Sequence, residues 1–203
     1  MLGWLEEFGR RLATGVYAYQ TSGEHPHRLT ELSLFPRVSA RRSSEVTRGV
    51  LVECAAIAQP ELSVLDRTGA TQHLFTYSVE FSMLAEQQQR ERRQPKVLAS
   101  AQLSSRHWLF RDAAGQLDRV DGDGVIGEYP VVSTANRAPF VYQSQCRVLA
   151  PKDGSEAMPP PSMKGHFKFV EGTLNSPSGD TFSALCGVSM TVGRCARCAR
   201  SVR

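Results

Sequence analysis

Long apolar runs are missing from this sequence. Its most hydrophobic stretch, Val50 to Ala58, carries Glu53 near its middle, whereas a membrane-crossing helix needs roughly 18 to 20 mostly apolar residues. No membrane engagement is expected. Cysteine is sparse and odd in number: Cys54, Cys146, Cys186, Cys195 and Cys198 are the five. No secretory leader is expected, because Glu6 and Glu7 stand where such a leader is basic and then apolar. Free thiols in a reducing compartment are therefore expected. Metal-ligand patterns are incomplete. Cys195 and Cys198 have ligand spacing, but no second pair and no nearby histidine completes a tetrahedral zinc site. His25 and His27 flank Pro26 in an irregular segment, and Asp121 and Asp123 lack the further oxygen donors of a calcium site. No Ser-His-Asp or Cys-His arrangement is deducible from spacing, and no serine sits in a nucleophile elbow. A non-enzyme with no metal and no cofactor is expected.

Charge of one sign is concentrated at one end. The net charge is +4, and the tail 193–203 alone holds Arg194, Arg197, Arg200 and Arg203 with no acid. The remainder is near neutral. Such a tail either contacts an acidic partner, RNA or a protein surface, or is a solvated terminus.

Residues 2 to 19 carry Trp4, Leu5, Phe8, Leu12 and Val16 at three- and four-residue steps, which predicts an amphipathic helix. Glu6 and Glu7 stand four residues before Arg10 and Arg11 and support it. This helix docks on the domain, docks on a partner through Trp4, Phe8 and Leu12, or belongs to a mitochondrial targeting segment. Residues 20–47 read as an extended arm that gains order by lying on another surface. From residue 48 the texture changes to period-two alternation: Val50, Val52 and Cys54, then Phe75, Tyr77, Val79 and Phe81. Alternation of aromatic and β-branched residues predicts strands. A polar segment, 86–96, reads as a hairpin tip or a short exposed helix. Further strands are expected over 97–111, 117–120, 138–144, 164–171 and 181–192, with turns at Gly69 and Gly115. The division is thus 1–47 helix and arm, 48–192 β-domain, and 193–203 basic tail.

Gly122-Asp-Gly-Val-Ile-Gly127 matches the spacing GxGxxG. A dinucleotide site needs that loop between a buried strand and a helix, and the downstream Pro130 and β-branched residues exclude the helix. The loop is either a strand connection whose glycines permit positive φ, or an anion cradle of backbone amides beside Arg106. On the 97–111 strand, Trp108 is expected to pack in the core, with Arg106 and His107 as candidates for solvent-facing contacts.

Several blocks, in order, carry a resemblance. Phe75 to Val79, Leu103 to Trp108, Val120 to Val131, Phe140 to Ser144 and Ser162 to Phe167 together resemble the ApaG family. The likeness spans about residues 48–192. Ser162 and Tyr129 depart from the family pattern, and the loops 86–96 and 149–161 are longer than its bacterial form. The resemblance implies an all-β, immunoglobulin- or fibronectin III-like sandwich of about seven strands. Bacterial members are associated with cobalt and magnesium tolerance and with pyrophosphate-like anions; eukaryotic ones are protein-interaction domains within larger chains. Altered loops and extensions fit the second pattern. The expected function is an interaction subunit of a large assembly such as a mitochondrial ribonucleoprotein, with protein partners, RNA met by the arm and tail, and no readout of DNA sequence. The alternative is a cytoplasmic anion- or divalent-metal-responsive protein, with Gly122, Gly124, Gly127 and Arg106 holding the anion.

Overall fold

Where aromatic and β-branched residues alternate, the chain forms long strands that pair antiparallel and bury their apolar face. The structure, a computed structural model, describes residues 2–22, 29–36, 43–136, 138–149 and 161–190. The arginines of the tail, Cys195, Cys198, His25 and His27 lie outside them. Helix α1 (Leu2–Ala13) is followed by a hairpin of β1 (Ala18–Ser22) and β2 (Leu29–Ser33). One sandwich sheet has the order β3 (Ser43–Thr47), β4 (Val50–Leu65), β5 (Thr71–Met83) and β9 (Phe140–Leu149). The other runs β11 (Pro177–Ser189), β10 (Ser162–Gly172), β6 (Ser100–Arg111), β7 (Leu117–Asp123), with the short β8 (Val131–Ser133) also on β6. Between β5 and β6 lies α2 (Glu86–Glu91). The expected all-β sandwich is present, with nine strands in its two sheets among the described residues, the short β3 and β8 bringing the count above seven.

Phe75, Tyr77, Val79, Phe81 and Met83 of β5 meet Trp108, Phe167, Phe169 and Leu103 of the facing sheet, all nearly without solvent contact. Their rings meet edge to face. Phe81 and Phe167 are 4.7 Å apart at 76°, and Trp108 and Phe167 are 5.2 Å apart at 88°, the arrangement the ring quadrupoles favour.

Three local devices set the geometry. The β3–β4 turn is made by Arg48 and Gly49 at φ 49° and 84°, the left-handed pair that a tight hairpin requires. The β4–β5 turn is capped by Asp66, whose Oδ1 accepts from the amides of Thr68 and Ala70. A bulge at Ser104 is the third: Lys168 pairs Ser105 but Phe169 pairs Leu103. The extra residue resets the alternation, so Ala101 and Leu103 point inward before it and Trp108 after it.

The segment read as an arm contributes strands. β3 joins the sandwich sheet, and residues 29–36 lie on the outer face of β4 and β5. Leu34 O accepts from Thr76 Oγ1 at 2.9 Å and from Gln59 Nε2 at 3.0 Å. This cover explains why Leu74, Thr76 and Ser78 are buried although they point away from the core. The helix ends at Ala13 rather than near residue 19, because Gly15 takes φ 69° and turns the chain back.

Candidate functional site

The two sheets meet unequally along their edges. On one side β11 packs against β3 and β4 and closes the sandwich. On the other, edge strands β7 and β9 stand apart and leave a groove of about 550 Å³. Its floor is aromatic: Trp108 and Phe110 of β6, Tyr77 of β5 and Tyr142 of β9. Trp108 Nε1 donates to Tyr142 Oη at 3.1 Å, and burial pushes the Tyr142 and Tyr77 phenols up. Cys146 also lines the groove, with its thiol pushed up to about 12 by burial. It stays protonated and is no nucleophile. Leu117, Val120 and Ile126 form an apolar rim, 59%, 37% and 60% exposed, and Arg106, Arg111 and Arg147 line the same space.

The glycine loop forms one end of this groove, and the structure brings its four sequence-derived residues together. Gly122 lies in β7 opposite Arg106. A Cβ at Gly122 would sit 2.8 Å from Arg106 Nη1, so the missing side chain makes room for the guanidinium. Arg106 Nη1 donates to Gly124 O at 2.9 Å and Asp123 O at 3.2 Å. Gly124 takes φ 56°, and a Cβ there would collide with Glu128 O. Val125 and Glu128 exchange backbone hydrogen bonds of 2.9 and 2.8 Å across a tight turn, with Ile126 and Gly127 at φ 46° and 80°. The amides of Gly124, Val125 and Glu128 therefore already donate to carbonyls of the chain. These glycines shape a turn and seat an arginine. A β-branched residue at positive φ is a backbone outlier, and Ile126 is held so at the groove rim.

Phe8, expected among the partner-docking residues, packs within the chain, its ring 5.9 Å from that of Tyr17. Leu12 is half-buried on the same helix, and Trp4 lies in its first turn. Arg11 anchors the helix: it donates to Tyr17 Oη at 2.6 Å and Gln59 Oε1 at 3.3 Å, both buried.

Sequence reasoning missed a cluster on the solvent-facing side of the β7–β6–β10 sheet. His107 Nδ1 lies 2.8 Å from Asp121 Oδ1, and its Nε2 lies 3.0 Å from Ser105 Oγ. The His107 and His166 rings stack at 4.5 Å. Hydrogen bonds from His107 and then Arg119 hold the Asp121 carboxyl below its usual range. Burial, then the electrostatic influence of His107 and Lys168, holds His166 below the usual imidazole range. Ser105, His107 and Asp121 have the connectivity of an acyl-transfer triad. Acyl transfer also needs donors aimed at the developing oxyanion. Here the triad lies on an open sheet face, and the backbone of β6 is paired on both sides, to β7 and β10. The only foreshadowing in the sequence was the His107 neighbourhood, because strand register alone brings residues 107, 121 and 166 together. Among the described residues no group of three His, Cys, Asp or Glu side chains is placed to hold a metal ion.

With this geometry in view, comparison with known proteins is informative. Residues 65–171 match the protein family described as the ApaG domain. The chain is 35% identical over 187 residues to F-box protein SKIP16 of Arabidopsis thaliana, a match covering 90% of this chain but 38% of that protein's length. It is 33% identical over 128 residues to Protein ApaG of Anaeromyxobacter dehalogenans, covering 63% of this chain and 81% of that one. Protein ApaG of Azorhizobium caulinodans is 37% identical over 84 residues, 41% of this chain and 53% of that protein.

Proposed function

The chain belongs to the ApaG-domain family, and on that premise we propose that it is a non-enzymatic protein-interaction module whose groove holds an extended segment of a partner protein. The observation that carries this reading is the unequal closure of the sandwich. Among the described residues, β7 and β9 each present an unpaired edge to the same aromatic-floored groove. An extended peptide adds to such an edge through its backbone, while alternate side chains enter the pocket. The exposed apolar rim of Leu117, Val120 and Ile126 supports this, since apolar patches on a soluble surface mark contact sites. Ile126, strained and exposed, fits a residue presented to a partner. The family's presence within a longer plant F-box protein suits a module that joins proteins.

The test is to pan the full chain against a displayed library of extended peptides and to map the winners by backbone amide shifts. Shifts concentrated in β7 and β9 are expected. Val120→Arg, at a partly exposed position, is expected to weaken the best peptide by about tenfold or more, as truncating a central contact does. Shifts confined to other elements, or full affinity in Val120→Arg, would overturn the reading.

A second reading attaches to the tail. Arg194, Arg197, Arg200 and Arg203 suit phosphate or an acidic protein surface, which would place the domain in an assembly such as a mitochondrial ribonucleoprotein. Its support is the sequence of the tail. Sedimentation of the native protein from lysate decides it: migration with a large particle that ribonuclease disperses sustains it, and migration as a free species removes it.

A further inference from the structure

We propose that the solvent-facing side of the β7–β6–β10–β11 sheet is a second docking surface, one that receives an acidic segment of a partner protein bearing aliphatic anchors. Register fixes the map. One row across the strands reads Arg119, Leu109, Lys164, Gly187; the next reads Asp121, His107, His166, Leu185; the next reads Asp123, Ser105, Lys168, Ser183. Because Trp108, Phe167 and Ala184 point into the core, these rows point out.

Two features of the face are unusual for the solvated side of a sheet, which is ordinarily polar throughout. Leu109 and Leu185 stand 45% and 61% exposed on adjacent rows, flanking the stacked histidines. The charge left over beside His166 is positive. Asp121 is already engaged by Arg119 and His107, and Asp123 stands on the edge strand, two strands away from Lys168 in its row. Among the described residues no carboxylate lies within ion-pair distance of Lys164 or Lys168. These two lysines stand two residues either side of His166. A partner carboxylate placed over this strand meets both cations, while a neighbouring aliphatic side chain meets Leu109 or Leu185. Charge complementarity of this kind governs partner choice and encounter. Nucleic acid would use the lysines, but it would leave both leucines in water and find no exposed Phe, Tyr or Trp in these rows on which to stack a base. The observations therefore favour protein.

The histidines give this surface a further signature. His166 is faced by Lys164 and Lys168 on its own strand, by His107 on β6, and by Arg119, Asp121 and Asp123 across β7. The β11 residues opposite it, Ser183, Leu185 and Gly187, do not titrate. A bound carboxylate favours the imidazolium form, so binding takes up protons and tightens as pH falls.

The test uses the full chain and three labelled probes: a twelve-residue Glu/Leu peptide, its Lys/Leu counterpart, and a twelve-nucleotide uridine RNA. The Glu/Leu peptide is expected to bind in preference to both others, more tightly at about pH 6 than at about pH 8. Lys164→Glu/Lys168→Glu is expected to weaken it by about tenfold or more, because like charges then face each other. His166→Gln is expected to reduce the pH dependence. Val120→Arg, in the groove on the other side of the sheet, is expected to leave this binding unchanged, which separates the surface from the groove reading. Binding that survives Lys164→Glu/Lys168→Glu belongs to the arginine tail and overturns the proposal, as does preference for RNA.

Discussion

At Gly165 the chain has no room for a methyl group, because a Cβ would collide with His107 O and crowd the Trp108 ring. β10 and β6 are central neighbours, and parting them disturbs the row of Trp108, Phe167 and Phe81 that fills the core. Gly165→Ala is therefore expected to cost about 3 kcal/mol or more, at the severe end for single substitutions. At Gly187 a Cβ would press only on the flexible stem of Lys164 at 3.2 Å and meet Met163 O and Lys164 Cα at ordinary contact distances of 3.5 and 3.7 Å, so Gly187→Ala is expected to stay within about 1 kcal/mol. Urea denaturation of the two variants separates them. A parallel asymmetry holds at Glu171, whose carboxylate is 1% exposed and flanked by Arg48 and Lys96. Arg48 is largely buried and also covers the Phe182 ring, its guanidinium 5.1 Å from the ring centre, whereas Lys96 is half exposed. Removing Arg48 leaves a buried anion poorly matched, so Arg48→Met is expected to cost about 3 kcal/mol. Lys96→Met is expected to cost less than about 1 kcal/mol, as for an exposed ion pair. Equal losses in the two variants would refute this account. Neither Gly165 nor Glu171 was legible in the sequence as special. One is defined by which carbonyl lies opposite, the other by which strand ends meet, and both are matters of register.

Among the elements, α1 and the β1–β2 hairpin show where local patterning stops. The helical period of Phe8 and Leu12 was plain, and it left open whether the helix docks on the domain, docks on a partner or belongs to a targeting segment. What chooses is a polar network: Arg11, Tyr17 and Gln59 interlock, and Gln59 with Thr76 holds Leu34 O. Polar partners separated by 42 or 48 positions leave no periodic trace. Trp108 was legible as core, and simple alternation then turns Arg106, two residues before it, to the same inward side rather than to solvent as expected. The glycine spacing announced a turn without saying that it would seat an arginine. Gln59→Leu is expected to loosen residues 2–22 and 29–36 while the sandwich persists, seen as fast proteolysis within those residues and an unchanged core. Glu7 adds a pH dependence. Hydrogen bonds from Arg10, then from Arg11, lower its pKa from 4.5 to about 2. A depressed carboxylate stabilises the folded form fully above its unfolded pKa and loses that contribution as pH falls through the folded one. Helicity of α1 is thus expected to decline between about pH 4.5 and about pH 2, modestly because Glu7 is 40% exposed. In Glu7→Gln that step is expected to vanish. A step that persists in the variant assigns it to another group.

For the molecule as a whole, the unequal edges of the sandwich organise everything else. Among the described residues, β3 and β11 seal one side, the N-terminal segment covers the outer face of β4 and β5, and the groove and the β6–β10 outer face are left open. A family resemblance implies the sandwich but not this distribution, since it is set by appended segments that choose which surfaces to cover. Local opening follows the same division, because amides exchange through the least covered hydrogen bonds. Hydrogen exchange of the full chain is expected to be slowest in β5, β6 and β10, which have neighbours on both edges. It is expected to be faster in β7 and β9, each with one edge unpaired among the described residues. A peptide seated in the groove would protect β7 and β9 selectively, whereas an acidic peptide on the outer face would leave their exchange nearly unchanged, since it meets side chains rather than strand edges. Uniform slow exchange in unliganded β7 would mean that its edge is already covered, and the groove would then not be the place where a partner adds.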